Sequence, residues 1–65
     1  MEGKVKFFSV SKGYGFITGS DNQDYFFHIS SVKEGIALNN DDEVKFTPDE
    51  NNKGRMAKNV VLLEG

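Results

Sequence analysis

No window of eleven or more residues in this chain carries apolar side chains at sustained helical spacing. That restricts the chain to a fold built from short strands. Five segments read as strands: Lys4 to Ser9, Tyr14 to Thr18, Tyr25 to Ile29, Glu43 to Thr47, and Lys58 to Leu63. Turn formers separate them: Ser11-Lys12-Gly13, Gly19 to Asn22, Asn39 to Asp42, and Asp49 to Gly54. Pro48, which has no N–H for a ladder, is expected to stop the fourth strand. Between His28 and Gly35 the spacing Ser31–Glu34 matches a capping box, and Gly35 suits a left-handed stop. A match that short predicts a 3₁₀ turn, not a helix. Five short antiparallel strands in 65 residues point to a small barrel, which leaves no exposed sheet edge.

A length of 65 residues accommodates one small domain, residues 1–65, and no second. The longest apolar runs, such as Val60 to Leu63, are too short for a transmembrane helix or a signal-peptide core. Cysteine is absent, which excludes disulfides, thiolate zinc sites and cysteine nucleophiles together. Secreted domains of this size usually carry covalent staples, so a cytoplasmic location is expected. Formal net charge is −2, but it is unevenly spread. Residues 1–33 carry Lys4, Lys6, Lys12 and Lys33 against Glu2, Asp21 and Asp24, a net of +1. Residues 34–65 are net −3, their acids concentrated in the Asn39 to Glu43 and Asp49 to Glu50 turns, which read as solubilising surface.

The chain has eight aromatic residues, and their direction decides the function. Side chains alternate across a strand. In the second strand Lys12, Tyr14 and Phe16 share one face, and Gly13, Gly15 and Ile17 the other. Lysine is rarely buried unpaired, so Tyr14 and Phe16 are expected in solvent and Ile17 in the core. In the third strand Asp24, Phe26 and His28 share the wetter face, and Tyr25, Phe27 and Ile29 the other. Ordinary core packing of these rings is the competing reading. Two features weigh against it: the opposite faces are apolar enough to form a core alone, and Gly13 and Gly15 flank Tyr14 as if another backbone approached closely. In the first strand, strict alternation buries Phe7 beside Val5 and exposes Phe8. A bulge near Phe7 reverses that order. One of the two rings is expected in solvent beside Lys6.

Exposed rings interleaved with Lys and His suit single-stranded nucleic acid. Unpaired bases stack on flat rings for about 1–3 kcal/mol each, and cations neutralise phosphates. In a duplex the base faces are already occupied. The alternative is a protein-interaction module, because an exposed aromatic patch also serves a protein partner. Catalysis lacks its parts: His28 is the only histidine, and no carboxylate spacing implies an orienting partner. Asp21 to Asp24 is too short for a calcium loop and has no terminal Glu. No metal or other cofactor is expected, and no membrane partner.

The motifs resemble a known family. Lys12-Gly13-Tyr14-Gly15-Phe16-Ile17 is similar to the first ribonucleoprotein-type motif of the bacterial cold-shock domain, and Tyr25-Phe26-Phe27-His28-Ile29-Ser30 to the second. Gly3 to Phe8 and Lys53 to Val60 match the family's opening and closing patterns. The resemblance covers the whole chain and implies a five-stranded OB-type barrel that binds single-stranded RNA and DNA; for the oligomeric state, which the sequence leaves open, a monomer is the simplest expectation. It also implies roles in RNA chaperoning or in regulating transcription and translation. By that resemblance Tyr14, Phe16 and Phe26 are stacking platforms, His28 stacks on or hydrogen-bonds a base, and Lys6 and Lys12 meet phosphates or base edges. Phe7 stands where the family usually has Trp, which favours the bulged reading with Phe7 exposed as a smaller platform; Phe8 is the alternative ring. Lys53 stands at a basic position beside Arg55. The departures are Ile29 for an aromatic, a loop from Lys33 to Leu38 without its aromatic, Ser9 for Asn, and bulky Tyr25 and Phe27 for small branched residues. They imply weaker or shorter-footprint binding and a repacked core.

Overall fold

The computed structural model describes residues 1–32, 38–52 and 54–63. Its strands are β1 (Glu2–Ser9), β2 (Tyr14–Gly19), β3 (Asp24–His28), β4 (Glu43–Asn51) and β5 (Gly54–Leu62). They close into a barrel in the order β1-β2-β3-β5-β4. The pairings β1–β2, β2–β3, β1–β4 and β4–β5 are antiparallel. The closing contact is parallel, at Phe26 opposite Met56. A second parallel bridge, Val32 to Val60, lies beside it.

Two bulges make closure possible. In β1, Val5 pairs with Ile17 and Phe7 with Phe16, so Lys6 is the extra residue. In β5, Lys58 pairs with Thr47 and Val61 with Lys45, so the β5 side carries one residue more. Asn59 supplies the left-handed backbone there, at φ 54°. A bulge adds local twist and coils the strand. It also moves the inward side chains from a spacing of two to three, so the inward pairs are Val5 and Phe8 in β1 and Ala57 and Val60 in β5.

The core is Val5, Ile17, Tyr25, Phe27, Leu38, Val44, Phe46, Ala57 and Val60, with Phe8 and Val32 packed against it. Two aromatics of the repacked interior are in contact: the rings of Tyr25 and Phe46 lie 5.0 Å apart. Tyr25 reaches the barrel end, where its hydroxyl donates to Asp21 Oδ2 at 2.7 Å. That bond lets a polar tip sit in an apolar core without an orphaned donor.

Three sequence expectations change. β4 does not stop at Pro48, which pairs with Ala57. Beyond Lys45, β4 has no pairing with β1, so Pro48 lies on an edge stretch where a strand tolerates a missing donor. β5 likewise begins at Gly54, four residues before the expected start, as the return arm of that hairpin. The 3₁₀ turn is Ile29–Ser31, capped by His28 and not by Ser31. It takes Ile29 out of β3, and Ile29 is 39% exposed instead of facing the core. Glu34, Gly35 and most of the Lys33 to Leu38 loop lie outside the described residues, as does Lys53.

Candidate nucleic-acid interface

Register assembles the ring field. Phe7 pairs with Phe16, Phe16 with Phe26, and Phe26 with Met56, so one row crosses β1, β2, β3 and β5 on the outer face. In the next row Ser9 pairs with Tyr14 and Tyr14 with His28. Tyr14 is the hub. Its ring centroid lies 6.3 Å from Phe7, 6.4 Å from Phe16 and 5.7 Å from Phe26. Phe16 meets Phe26 edge-on at 5.7 Å. Tilted and edge-on contacts of this kind fix each ring against its neighbours. They also leave ring faces turned outward: Phe7 is 38% and Phe16 37% exposed, while Tyr14 and Phe26 are half-buried.

The Lys6 bulge settles the first strand. Phe7 joins the outer row, and Phe8 turns inward to stack on Phe27 at 5.4 Å. Phe8 is therefore a core-side residue and drops out of the interface. The close backbone approach expected at Gly15 is present: a Cβ there would strike the Phe7 carbonyl oxygen and stand 2.7 Å from Phe27 Cζ. Gly13 has a positive φ of 78°, a conformation side chains disfavour. The two glycines serve the β1–β2 hairpin that places Tyr14 and Phe16.

The cations are arranged less simply. Lys6 reaches the ring face, where its Nζ donates to Asp24 Oδ2 at 2.9 Å. Thr18 Oγ1 donates to the other oxygen of that carboxylate at 3.1 Å. The Lys6 bond, followed by the Thr18 bond, holds the Asp24 carboxyl below its ordinary range. Lys6, Phe7, Phe16 and Asp24 together line a shallow concavity. Lys12 is exposed in the β1–β2 turn, and its ammonium makes no ion pair among the described residues. Arg55 is exposed and stands opposite Glu50 in the register of the β4–β5 hairpin. Lys58, the next basic residue along β5, is held by Asp49 at 2.9 Å.

His28 is exposed at the end of β3 and doubles as the cap of the 3₁₀ turn. Its Nδ1 accepts from the Ser30 backbone N–H at 3.1 Å and lies 2.9 Å from Ser30 Oγ. Sequence reasoning put Asp24 on the face of Phe26 and His28 without giving it a role, and it missed two other neighbours of the field, Met56 and Ser30. No local pattern reports Met56, because its place depends on a closing contact between distant strands. Among the described residues no cluster of three or more His, Cys, Asp or Glu side chains could hold a metal ion.

The family model for the 'Cold-shock' DNA-binding domain matches residues 1–63. The chain belongs to the cold-shock domain family. It is 43% identical over 61 residues to Cold shock protein 1 of Lactiplantibacillus plantarum, covering 91% of this chain and 92% of that protein. It is 43% identical over 65 residues to Cold shock-like protein CspB of Bacillus cereus, covering 97% and 100%. Among solved structures the cold-shock domain is similar to drosophila Unr CSD456, with a TM-score of 0.81 and 25% identity. That match covers 97% of this chain and 26% of the other. The barrel is accordingly of the OB type, and the domain is a nucleic-acid-binding, non-enzymatic one. None of its described helical segments is long and apolar enough to cross a membrane.

Proposed function

We propose that this cold-shock domain binds single-stranded nucleic acid, both RNA and DNA, by stacking bases on Phe7, Tyr14, Phe16 and Phe26. His28 joins the ring field, and Lys6 and Lys12 supply charge. One observation carries the reading. These rings lie together on the outside of the barrel, while the interior is already filled by other side chains. In a domain this small, leaving so much aromatic surface unburied forgoes stabilisation of about 25 cal/mol per Å², which a stacked base would recover. Lys53, adjacent to β5 in the sequence, is proposed as a further phosphate contact on its charge alone. The biological role that fits is that of an RNA chaperone or a regulator of transcription or translation, acting as a cytoplasmic monomer of one domain.

The test is a titration with heptathymidine, a longer oligothymidine and a duplex of matched length. Tight binding to the single strands and little to the duplex supports the reading. Equal binding to duplex, or no binding at low salt, refutes it. The Phe at position 7, the aliphatic Ile29 and the loop without an aromatic leave fewer platforms than a Trp-containing, fully aromatic member has. Affinity is expected below such a member's, and a match would contradict the platform count.

A further inference from the structure

The imidazole of His28 is held by one neighbour on one side and open on the other. Ser30 approaches Nδ1 with two groups, its backbone N–H at 3.1 Å and its hydroxyl at 2.9 Å. A backbone N–H can only donate, so Nδ1 must offer a lone pair to it. The hydroxyl can donate to the same lone pair. The alternative tautomer would satisfy the hydroxyl through Nδ1–H but would set two N–H groups against each other. The neutral ring therefore carries its proton on Nε2. That nitrogen has no hydrogen-bond partner among the described residues. It lies near Gly13, where a Cβ would stand 4.0 Å from it. Gly13 is the residue beside Tyr14, the hub of the ring field and the register partner of His28.

We propose that Ser30 is a positioning residue of the interface, holding His28 in the Nε2–H tautomer so that the ring presents a hydrogen-bond donor to a carbonyl or ring-nitrogen acceptor on a base edge. This rests on His28 belonging to the nucleic-acid face. The geometry also gives the 3₁₀ turn a use beyond ending β3: its first free N–H orients a ligand-binding ring, and its hydroxyl-bearing residue reinforces that orientation. A stacking-only role for His28 would be indifferent to the tautomer. A donating role is not, because the wrong tautomer turns a lone pair toward the acceptor.

The experiment is ¹⁵N NMR of the His28 ring in the neutral form, for the wild type, Ser30→Pro and Ser30→Ala, with heptathymidine affinity measured for the same proteins and for His28→Ala. In the wild type, Nδ1 should show the shift of a lone-pair nitrogen and Nε2 that of a protonated one. Ser30→Pro removes the backbone donor along with the hydroxyl. It should move both shifts toward the tautomer mixture and weaken binding by about 2- to 5-fold, the lower part of what one hydrogen bond contributes. Ser30→Ala keeps the backbone donor and should leave both shifts near those of the wild type. Thermal unfolding of each variant identifies any loss that comes from the fold. A wild-type ring protonated on Nδ1, or ring shifts unmoved in a folded Ser30→Pro, overturns the positioning role. Shifts that move while affinity stays constant overturn the donor role if His28→Ala still weakens binding. If His28→Ala is also silent, it is the placement of His28 in the interface that fails.

Discussion

Replacing Phe26 with Ala separates stacking from charge as the source of affinity. Phe26 sits at the centre of the outer row, 5.7 Å from both Tyr14 and Phe16 and in register with Met56. It is half-buried and points away from Phe27, its buried neighbour in β3. Loss of one stacking platform removes about 1–3 kcal/mol per base, which is roughly 5- to 150-fold in affinity. The missing ring also frees Tyr14 and Phe16 to reorient, which favours the upper part of that range. Removing a single lysine contact lowers the single-strand salt slope by about 0.7 and so weakens binding about 5-fold at 0.1 M salt. Phe26→Ala should therefore weaken heptathymidine binding more than Lys12→Ala or Lys53→Ala does. The fold loses two ring contacts worth about 0.5–1.5 kcal/mol each, while the barrel interior is untouched. Fluorescence anisotropy of a labelled oligomer gives the affinities, and far-ultraviolet circular dichroism confirms folding. If either lysine variant proved weaker than Phe26→Ala with all three folded, stacking would not be the principal contact.

Three further outcomes follow from the same geometry. Gly15→Ala should destabilise the barrel by about 1–3 kcal/mol, as overpacking does, because the new Cβ meets a backbone oxygen and the buried Phe27 ring; an unchanged thermal midpoint would show that the hairpin can yield. The Asp21 carboxyl lies below its ordinary range, mainly because the Tyr25 hydroxyl donates to it, so its contribution is present above the unfolded value and disappears as pH falls through the folded one. The urea midpoint should accordingly drop on acidification below about pH 4, and less steeply in Asp21→Asn. Binding should weaken with salt at a log–log slope of roughly 2 to 3, from about three or four phosphate contacts, and a much steeper slope would assign most of the affinity to charge.

Much of the interface was legible in single strands. Alternation alone separated Tyr14 and Phe16 from Ile17, and Phe26 and His28 from Tyr25 and Phe27, and each of these residues faces as expected. The glycines beside Tyr14 also announced a close approach that the Phe7 carbonyl makes at Gly15. These features are properties of one chain segment with a period of two, so no partner strand is needed to read them. The choice between Phe7 and Phe8 was of another kind. A bulge is a count of two residues against one across a pair of strands, and the segment from Val5 to Phe8 contains no sign of what β2 sets opposite Lys6.

The same reason covers the rest. Pro48 continues a strand because β1 no longer pairs with that part of β4. Met56 joins the ring row because β3 and β5 meet in parallel. Lys6 finds its carboxylate, Asp24, eighteen positions away. Composition and alternation thus determined which side chains could be inside or outside each strand. Barrel closure decided which of them became neighbours, because register and the charges that face one another arise only between segments that the sequence keeps apart.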